Sequence, residues 1–88
     1  MAWTIEFVPA AAKELNAIGT TQASRTVKFL STRVAKLDDP RSIGEALKGR
    51  LGQLWKYRIG DSRIIADIQD KRVLILVVRI GHRREVYK

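Results

Sequence analysis

The residues of this chain that could do chemistry are mostly cations, and they are concentrated in its second half. Residues 1–47 contain six Lys and Arg against five Asp and Glu, whereas residues 48–88 contain eleven Lys and Arg against four acids. The net charge is therefore +1 in the first half and +7 in the second. A basic region of this kind is typical of a nucleic-acid-binding protein, and binding to an acidic protein is the main alternative.

The candidate catalytic residues are three strand cations and a basic tail that holds one histidine and one tyrosine: Lys56, Arg58, Arg63, His82, Arg83 and Tyr87. The chain has no cysteine and a single histidine, which excludes a thiolate or multi-histidine metal site. It also lacks a P-loop, a dinucleotide-binding motif and a paired-carboxylate motif. We therefore predict chemistry that uses neither a metal ion nor a cofactor.

This set of residues fits metal-free cleavage of RNA by the neighbouring 2′-hydroxyl group. The attack builds negative charge on the phosphate, which preorganised cations stabilise. One group must accept the 2′ proton, and another must protonate the leaving 5′ oxygen. Histidine titrates near neutrality, and a tyrosine surrounded by Lys and Arg loses its proton more easily. The residues alone leave open which of His82, Arg83 and Tyr87 transfers protons.

Two strands must position the central cations. Residues 54–59 alternate between apolar and basic side chains, as a half-buried strand does. Gly60-Asp61 fits a two-residue type II′ turn, which would set Arg58 directly opposite Arg63 on the next strand. Like charges in that position are destabilising, unless an anion lies between them. We therefore predict that Arg58 and Arg63 bind an anion, while Trp55 and Tyr57 face the core.

The rest of the chain is predicted to be scaffold for this hairpin. Residues 3–8 are a predicted strand, 10–18 a short helix and 22–37 a longer helix capped by Thr20 or Thr21, whose buried stripe is Ala23, Val27, Leu30, Val34 and Leu37. Residues 41–53 are a predicted loop, in which Lys48 and Arg50 are either ordinary surface charges or an extension of the basic patch. Strands follow at 63–69 and, after a turn at 70–71, at 72–80. We predict one α+β domain over residues 1–88, ordered β-α-α-β-β-β, with an αα-hairpin on one face of a mostly antiparallel sheet.

The last strand is apolar on both faces, although two helices can cover only one face of so small a sheet. Leu74, Leu76 and Val78 should then form an apolar patch beside Ile65. Such a patch would bind a partner, or the sheet would curl and bury it. Arg79, within this strand, is predicted to be structural and to pair with Asp67 or Glu6.

Several motifs together resemble the RelE toxins of bacterial and archaeal toxin–antitoxin pairs, within the RelE/ParE superfamily. They are AAAKEL at 10–15, LKG at 47–49, WKYRIGDSRIIADI at 55–68 and IGHRREVY at 80–87. The resemblance covers nearly the whole chain. It implies the RelE-like microbial ribonuclease-type fold, and a toxin that enters the ribosomal A site and cleaves the mRNA there.

The resemblance also implies roles for individual residues. Lys56, Arg58 and Arg63 would stabilise charge on the phosphate, and Arg83 would act as general acid or clamp the transition state. Tyr87 would be the base or a stacking platform. His82 stands where the best-known member has lysine. Arg84 would contact RNA, as would the loop cations at 48 and 50.

The resemblance further implies a cognate RelB-like antitoxin, which would cover the apolar patch and neutralise the cations. Operator DNA would be bound only through the antitoxin complex. No membrane segment is evident in the sequence, so a cytoplasmic protein is expected. Two alternatives remain: a ParE-like toxin that poisons DNA gyrase without nuclease chemistry, and a basic module that binds nucleic acid without reacting.

Overall fold

The computed structural model describes residues 2–47 and 54–82, with His82 described by its backbone alone. The elements are β1 Thr4–Phe7, α1 Pro9–Ala17, α2 Thr20–Phe29, β2 Glu45–Ala46, β3 Trp55–Ile59, β4 Ser62–Gln69 and β5 Leu74–His82. The strands form one sheet in the order β1-β5-β4-β3-β2. β1 is parallel to β5, and the other neighbours are antiparallel. The predicted α+β class, with two helices before a three-stranded meander, is confirmed.

The β3–β4 hairpin has the predicted register, with Arg58 opposite Arg63 and Ile59 opposite Ser62. Gly60 has φ +55°, and the φ of Asp61 is not positive. A type II′ turn requires this combination, so the predicted turn fits the structure. Strand β2 was not predicted, since it lies within the segment assigned as a loop. Its two residues extend the sheet beyond β3, with Glu45 opposite Lys56.

The core lies between the two helices and one face of the sheet. The helices contribute Ala11, and the helical turn after α2 contributes Leu30 and Val34. The strands contribute Tyr57, Ile64, Ala66, Ile75 and Val77. The aromatic residues of β3 are core residues, as predicted. The hydroxyl of Tyr57 donates to the Pro40 carbonyl at 2.6 Å, and the Trp55 indole N–H donates to the Ile43 carbonyl at 2.7 Å.

The second helix differs from the prediction in two ways. It begins after Gly19 with no side-chain cap, so the caps predicted at Thr20 or Thr21 are wrong. After Phe29 it widens into a π-helical turn, Leu30–Val34, in which the Ala35 N–H bonds to the Leu30 carbonyl at 2.8 Å. The predicted stripe is wrong at Val27, which is 43% exposed, because Thr26 faces the sheet instead.

Of the two alternatives predicted for the sheet face that points away from the helices, an exposed apolar patch and a curled sheet that buries it, the structure fits the second. Ile65 is 2% exposed and Leu74 is 4% exposed, while Leu76 and Val78 are half-buried. A bulge between β4 and β5 leaves Val78 without a partner, because Ile65 pairs with Arg79 while Ala66 pairs with Val77. Bulges increase the local twist of a sheet, in keeping with the curled alternative. Within the described ranges, no helix is long and apolar enough to cross a membrane.

Two smaller predictions about β5 are also wrong. The strand begins at Leu74 rather than at Arg72, because Asp70–Arg72 is a 3-10 turn and Val73 adopts a left-handed conformation with φ +49°. Arg79 pairs with Glu14 of α1, at 3.4 Å, and not with Asp67 or Glu6. Sequence spacing does not place α1 beside β5, so it gives no signal that Glu14 is the partner.

Candidate anion-binding site

The face of the sheet that points away from the helices, here called the second face, carries the cations of the β3–β4 hairpin. The side chains of Lys56 and Arg58 alternate with the core residues of β3, and Arg63 alternates with those of β4. Arg58 is exposed, whereas Arg63 is only 4% exposed. The hairpin therefore sets one buried arginine directly across from one exposed arginine in the register of the two strands.

Arg63 is the chemically unusual member of this pair. Its Nη1 donates to the Ser62 carbonyl at 3.3 Å, but its Nε has no hydrogen-bond partner. No carboxylate within the described ranges pairs with it. A buried cation with an unsatisfied N–H is costly in free energy, and an anion would reduce that cost. A guanidinium matches the two oxygens of a phosphate group in geometry and charge.

Lys56 is held differently from the two arginines. Its Nζ lies 2.9 Å from Glu45 Oε1, and its side chain is only 16% exposed. Glu45 is a residue that sequence reasoning missed, since a two-residue strand leaves no periodic signal. The pairing links β2 to β3 and offsets one positive charge, so Arg58 and Arg63 are the stronger pair for an anion.

The end of β5 lies beside this pair of arginines. Gly81 is opposite Arg63, and His82 is opposite Ser62. Glycine adds no side chain next to Arg63. Ser62 is buried, and its hydroxyl accepts a hydrogen bond from the Gln22 side chain of α2 at 3.1 Å. Strand β5 therefore ends next to the candidate site.

Five of the predicted site residues lie outside the described residues: Lys48, Arg50, Arg83, Arg84 and Tyr87. The backbone of His82 ends β5, and its side chain is not described. The structure thus brings Arg58 and Arg63 together, places Lys56 two residues further along the same face, and sets the start of the basic tail beside them.

Glu14 fixes the strand from which that tail continues. Strand β1 stops at Phe7, opposite Val77, so it leaves the later part of β5 without a strand partner on that edge. Glu14 of α1 supplies the acceptors there. One carboxylate oxygen accepts from the Ile80 N–H at 2.9 Å, and the other lies 3.4 Å from Arg79.

Tyr57, the tyrosine of β3, is not suited to be a base. Burial raises its pKa above the ordinary value, which keeps the phenol protonated, and its hydroxyl donates to the Pro40 carbonyl. Within the described ranges, no three His, Cys, Asp or Glu side chains are grouped so that they could hold a metal ion. Among the described residues, the site therefore offers a buried arginine with an unpartnered Nε and an exposed arginine opposite it.

The fold resembles that of solved RelE toxins. The structure is similar to a chain of the RelBE2 toxin–antitoxin complex of Mycobacterium tuberculosis, with a TM-score of 0.86, 21% identity and coverage of 97% of this chain and 95% of that one. It is also similar to the isolated RelE toxin of E. coli, with a TM-score of 0.72, 23% identity and coverage of 98% and 92%.

Sequence comparison gives the family. Toxin RelG of Mycobacterium tuberculosis is 23% identical to this chain over 88 residues, which is all of this chain and 99% of the relative. The model of the family described as the ParE toxin of type II toxin–antitoxin systems, parDE, matches residues 5–87. The chain belongs to this toxin family, within the RelE/ParE superfamily, and the predicted resemblance is confirmed.

Proposed function

We propose that this type II toxin is a metal-independent endoribonuclease, which cleaves mRNA in the ribosomal A site by attack of the 2′-hydroxyl group and so stops translation in the cytoplasm. The observation that carries the proposal is the buried Arg63, with an unpartnered Nε, directly across from Arg58. Two guanidinium groups in this arrangement are destabilising for the fold alone. They are useful where negative charge develops on a phosphate.

The two arginines would act on the transition state more than on the bound substrate. Attack by the 2′-oxygen increases the charge on the non-bridging phosphate oxygens, and fixed donors at that point require no reorganisation. A buried donor also interacts more strongly than one in water, because the local dielectric is low. Loss of one such donor typically lowers kcat by about 100- to 1,000-fold. We expect Arg63→Gln to fall in this range.

The basic tail would complete the reaction. His82, Arg83 and Tyr87 follow the strand end that lies beside Arg63, and one of them would accept the 2′ proton while another protonates the leaving 5′ oxygen. Arg84, Lys48 and Arg50 would hold the RNA. Tyr57 is excluded as the base, since its phenol stays protonated.

A cognate antitoxin would neutralise the toxin. The similar structures include the intact RelBE toxin–antitoxin complex of E. coli, which supports a RelB-like partner for this chain. Acidic residues of that partner would compete with RNA for the arginine pair. Operator DNA would be contacted only through the antitoxin.

The test is primer extension on an mRNA in translating ribosomes and on the same mRNA without ribosomes. The variants are Arg63→Gln, Arg83→Ala and Tyr87→Phe. Lys71→Gln is the control, since it removes an exposed cation from the turn between β4 and β5. We expect A-site cuts only with ribosomes, strong losses in the three variants and none in the control. Intact mRNA from a protein that still stops growth would contradict the nuclease.

A second candidate is a toxin that poisons DNA gyrase without nuclease chemistry. The description of the matching family as ParE toxins favours it. In this case the toxin would increase gyrase-linked DNA breaks in a cleavage assay with purified gyrase. Arg63→Gln would cause no loss of mRNA cleavage, because the wild-type toxin would not cleave mRNA. Gyrase-linked breaks together with intact mRNA would select this function over the nuclease.

A further inference from the structure

Strand β2 places an acid beside the candidate anion-binding site. Glu45 is the strand partner of Lys56, and its Oε1 lies 2.9 Å from the Lys56 Nζ. Directly opposite side chains in a sheet point to the same face, so Glu45 shares the second face with Lys56 and Arg58. A negative charge at that place opposes the binding of an anion. Its presence therefore bears on how tightly the site can hold a phosphate.

The backbone around Glu45 is fitted closely to β3. The Trp55 indole N–H donates to the Ile43 carbonyl at 2.7 Å. The next residue, Gly44, has φ +81°, and a Cβ on it would clash with the Lys56 carbonyl. Glycine tolerates this conformation and this close approach, which other residues do not. The position of Glu45 is thus determined by the fold, and the ion pair is not a chance contact between two long side chains.

The two partners of this ion pair differ in how freely they can move. The Lys56 side chain is 16% exposed, whereas that of Glu45 is 67% exposed. The carboxylate can therefore turn into water at little cost, while the ammonium group stays on the second face. An exposed ion pair changes an equilibrium constant by up to about fivefold. The pair is thus weak enough to open and strong enough to affect the binding of an anion.

Lys56 lies where an RNA strand on the arginine pair would continue. Its side chain is two residues from that of Arg58 on the same face, which is about 7 Å along a strand. A phosphate next to the one held by Arg58 and Arg63 would therefore reach Lys56. An ammonium group has three donors and could contact Glu45 and a phosphate together, but the two anions would then repel each other. The phosphate binds fully only when Glu45 moves away.

We propose that Glu45 is a specificity-determining residue, which competes with an RNA phosphate for Lys56 and so limits the affinity of the site for RNA. This role rests on the proposed function, since it assumes that RNA is the ligand. RNA that is free in solution would be held about fivefold less tightly than the cations alone allow. An mRNA positioned by the ribosome has a high effective concentration at the site and would tolerate that loss. Glu45 would thereby favour ribosome-bound RNA over free RNA.

The test compares two variants of equal charge. Glu45→Gln removes the competing carboxylate and keeps the shape of the side chain. Glu6→Gln is the control, since it removes an exposed acid from β1, at the opposite edge of the sheet. Each is also combined with Lys56→Gln, and circular dichroism verifies folding. The probe is a fluorescent 2′-O-methyl oligouridylate, which has no 2′-hydroxyl to attack the phosphate, and its dissociation constant is measured by anisotropy over a range of salt concentrations.

We expect Glu45→Gln to bind the probe about fivefold more tightly than Glu6→Gln at physiological salt. The slope of log affinity against log salt should be steeper by about 0.7, because the released Lys56 neutralises one more phosphate. With Lys56→Gln present in both, the difference in affinity should fall below about twofold, since no cation then holds a phosphate beside Glu45. Equal binding by the two single variants would overturn the proposal, as would an undiminished gain in the absence of Lys56.

Two further measurements separate this proposal from its alternatives. Polyglutamate is a second probe, and tighter binding of polyglutamate by Glu45→Gln without tighter binding of RNA would overturn the proposal and assign Lys56 to an acidic protein. Cleavage by the wild-type protein is measured on ribosomes. A gain in RNA binding by Glu45→Gln without any cleavage by the wild type would contradict the nuclease and support the role of Glu45. Normal cleavage with equal RNA binding by Glu45→Gln and Glu6→Gln would overturn that role and leave the nuclease supported.

Discussion

Arg58 and Arg63 are placed across from each other by two residues, Gly60 and Asp61, which determine the register of the hairpin. Because the two like charges repel each other, they should lower the stability of the folded protein. A bound anion should offset this repulsion and raise the stability.

We expect Arg58→Gln to stabilise the folded protein by about 0.5 kcal/mol, because it removes a directly opposed like charge. The same variant should cleave mRNA on ribosomes at least tenfold more slowly. Urea unfolding with and without added sulfate measures the first effect, and sulfate should stabilise the wild type more than the variant. Lys71→Gln is the matched control. A variant that is less stable than the wild type would show that the two arginines do not repel each other.

Tyr57 is expected to contribute to stability and not to catalysis. Tyr57→Phe keeps the buried ring but leaves the Pro40 carbonyl without its donor, at a cost of about 1 kcal/mol. Its raised pKa means that the unfolded chain loses the phenol proton first, so this stabilisation is complete below about pH 10 and declines above it. Urea unfolding at pH 7 and pH 11 tests this, and mRNA cleavage should be unchanged at pH 7.

The arginine pair could be predicted from the sequence because strand alternation and a Gly-Asp turn determine register over a short distance. The partner of Lys56 could not. Glu45 precedes it by eleven residues, in a strand of two residues that no periodic pattern reveals. The burial of Arg63 was likewise not predicted, because it depends on the three-dimensional packing of the second face.

At the scale of elements, α1 holds β5 through a single carboxylate. Glu14 accepts from the Ile80 N–H and pairs with Arg79, just before the strand end that leads into the basic tail. The contact replaces the strand partner that β5 lacks after β1 has ended.

We expect Glu14→Ala to destabilise the protein by about 2 kcal/mol, since a backbone N–H loses a charged acceptor. Glu14→Gln keeps an oxygen acceptor and should cost less than half of that. Hydrogen exchange at the Ile80 amide should be faster in Glu14→Ala than in Glu14→Gln. Equal exchange in both variants would indicate that the carboxylate does not hold this edge.

The loop after α2 is joined to the β4–β5 turn by Arg41 and Asp70, which form two hydrogen bonds of 2.9 Å. Arg41 lowers the pKa of Asp70, so the pair stabilises the fold above the ordinary aspartate pKa near 4 and is lost as the pH falls through the lower folded value. Asp70→Asn should therefore be less stable than wild type at pH 7 and equally stable at pH 2. Asp61→Asn, in the other turn, is the control. A constant difference at both pH values would contradict the pairing.

The helices and strands could be predicted from the sequence where the apolar residues follow a single period, as in β3 and β4. The face of α2 could not be predicted fully. The hydrophobic pattern predicts that the apolar Val27 is buried and the polar Thr26 is not. The structure instead buries Thr26 together with Leu30 and Val34. The wide turn after Phe29 then brings Ala35 into the core as well, and no sequence pattern marks that turn.

At the scale of the whole molecule, the sheet joins the two ends of the described chain. The β3–β4–β5 meander consists of neighbouring strands with short turns, whereas β1 pairs with β5. Thr4 is opposite Leu74, a separation of 70 residues. Contacts between neighbouring strands close short loops, and the β1–β5 contact closes a long one, which costs more entropy.

The meander should therefore form before β1 docks. We expect Ile64→Ala, in β4, to slow folding, and Ile5→Ala, in β1, mainly to accelerate unfolding. Stopped-flow folding in urea measures both rates, and each variant should lose more than the roughly 0.6 kcal/mol that such a comparison requires. If Ile5→Ala slowed folding more than Ile64→Ala does, the result would indicate that β1 docks before the meander forms.

The pairing of β1 with β5 also bears on how a cell survives making this toxin. During synthesis the chain emerges from its N-terminus, so β1 is released long before β5, its partner in the sheet. The strand end beside Arg63 comes later still, as residues 81 and 82. If the protein cuts mRNA as proposed, a growing chain that does not yet contain β5 lacks a complete sheet and cannot cut the message from which it is being translated. Each copy would become harmful only after β5 has joined the sheet, which is also when an antitoxin could first bind the finished fold.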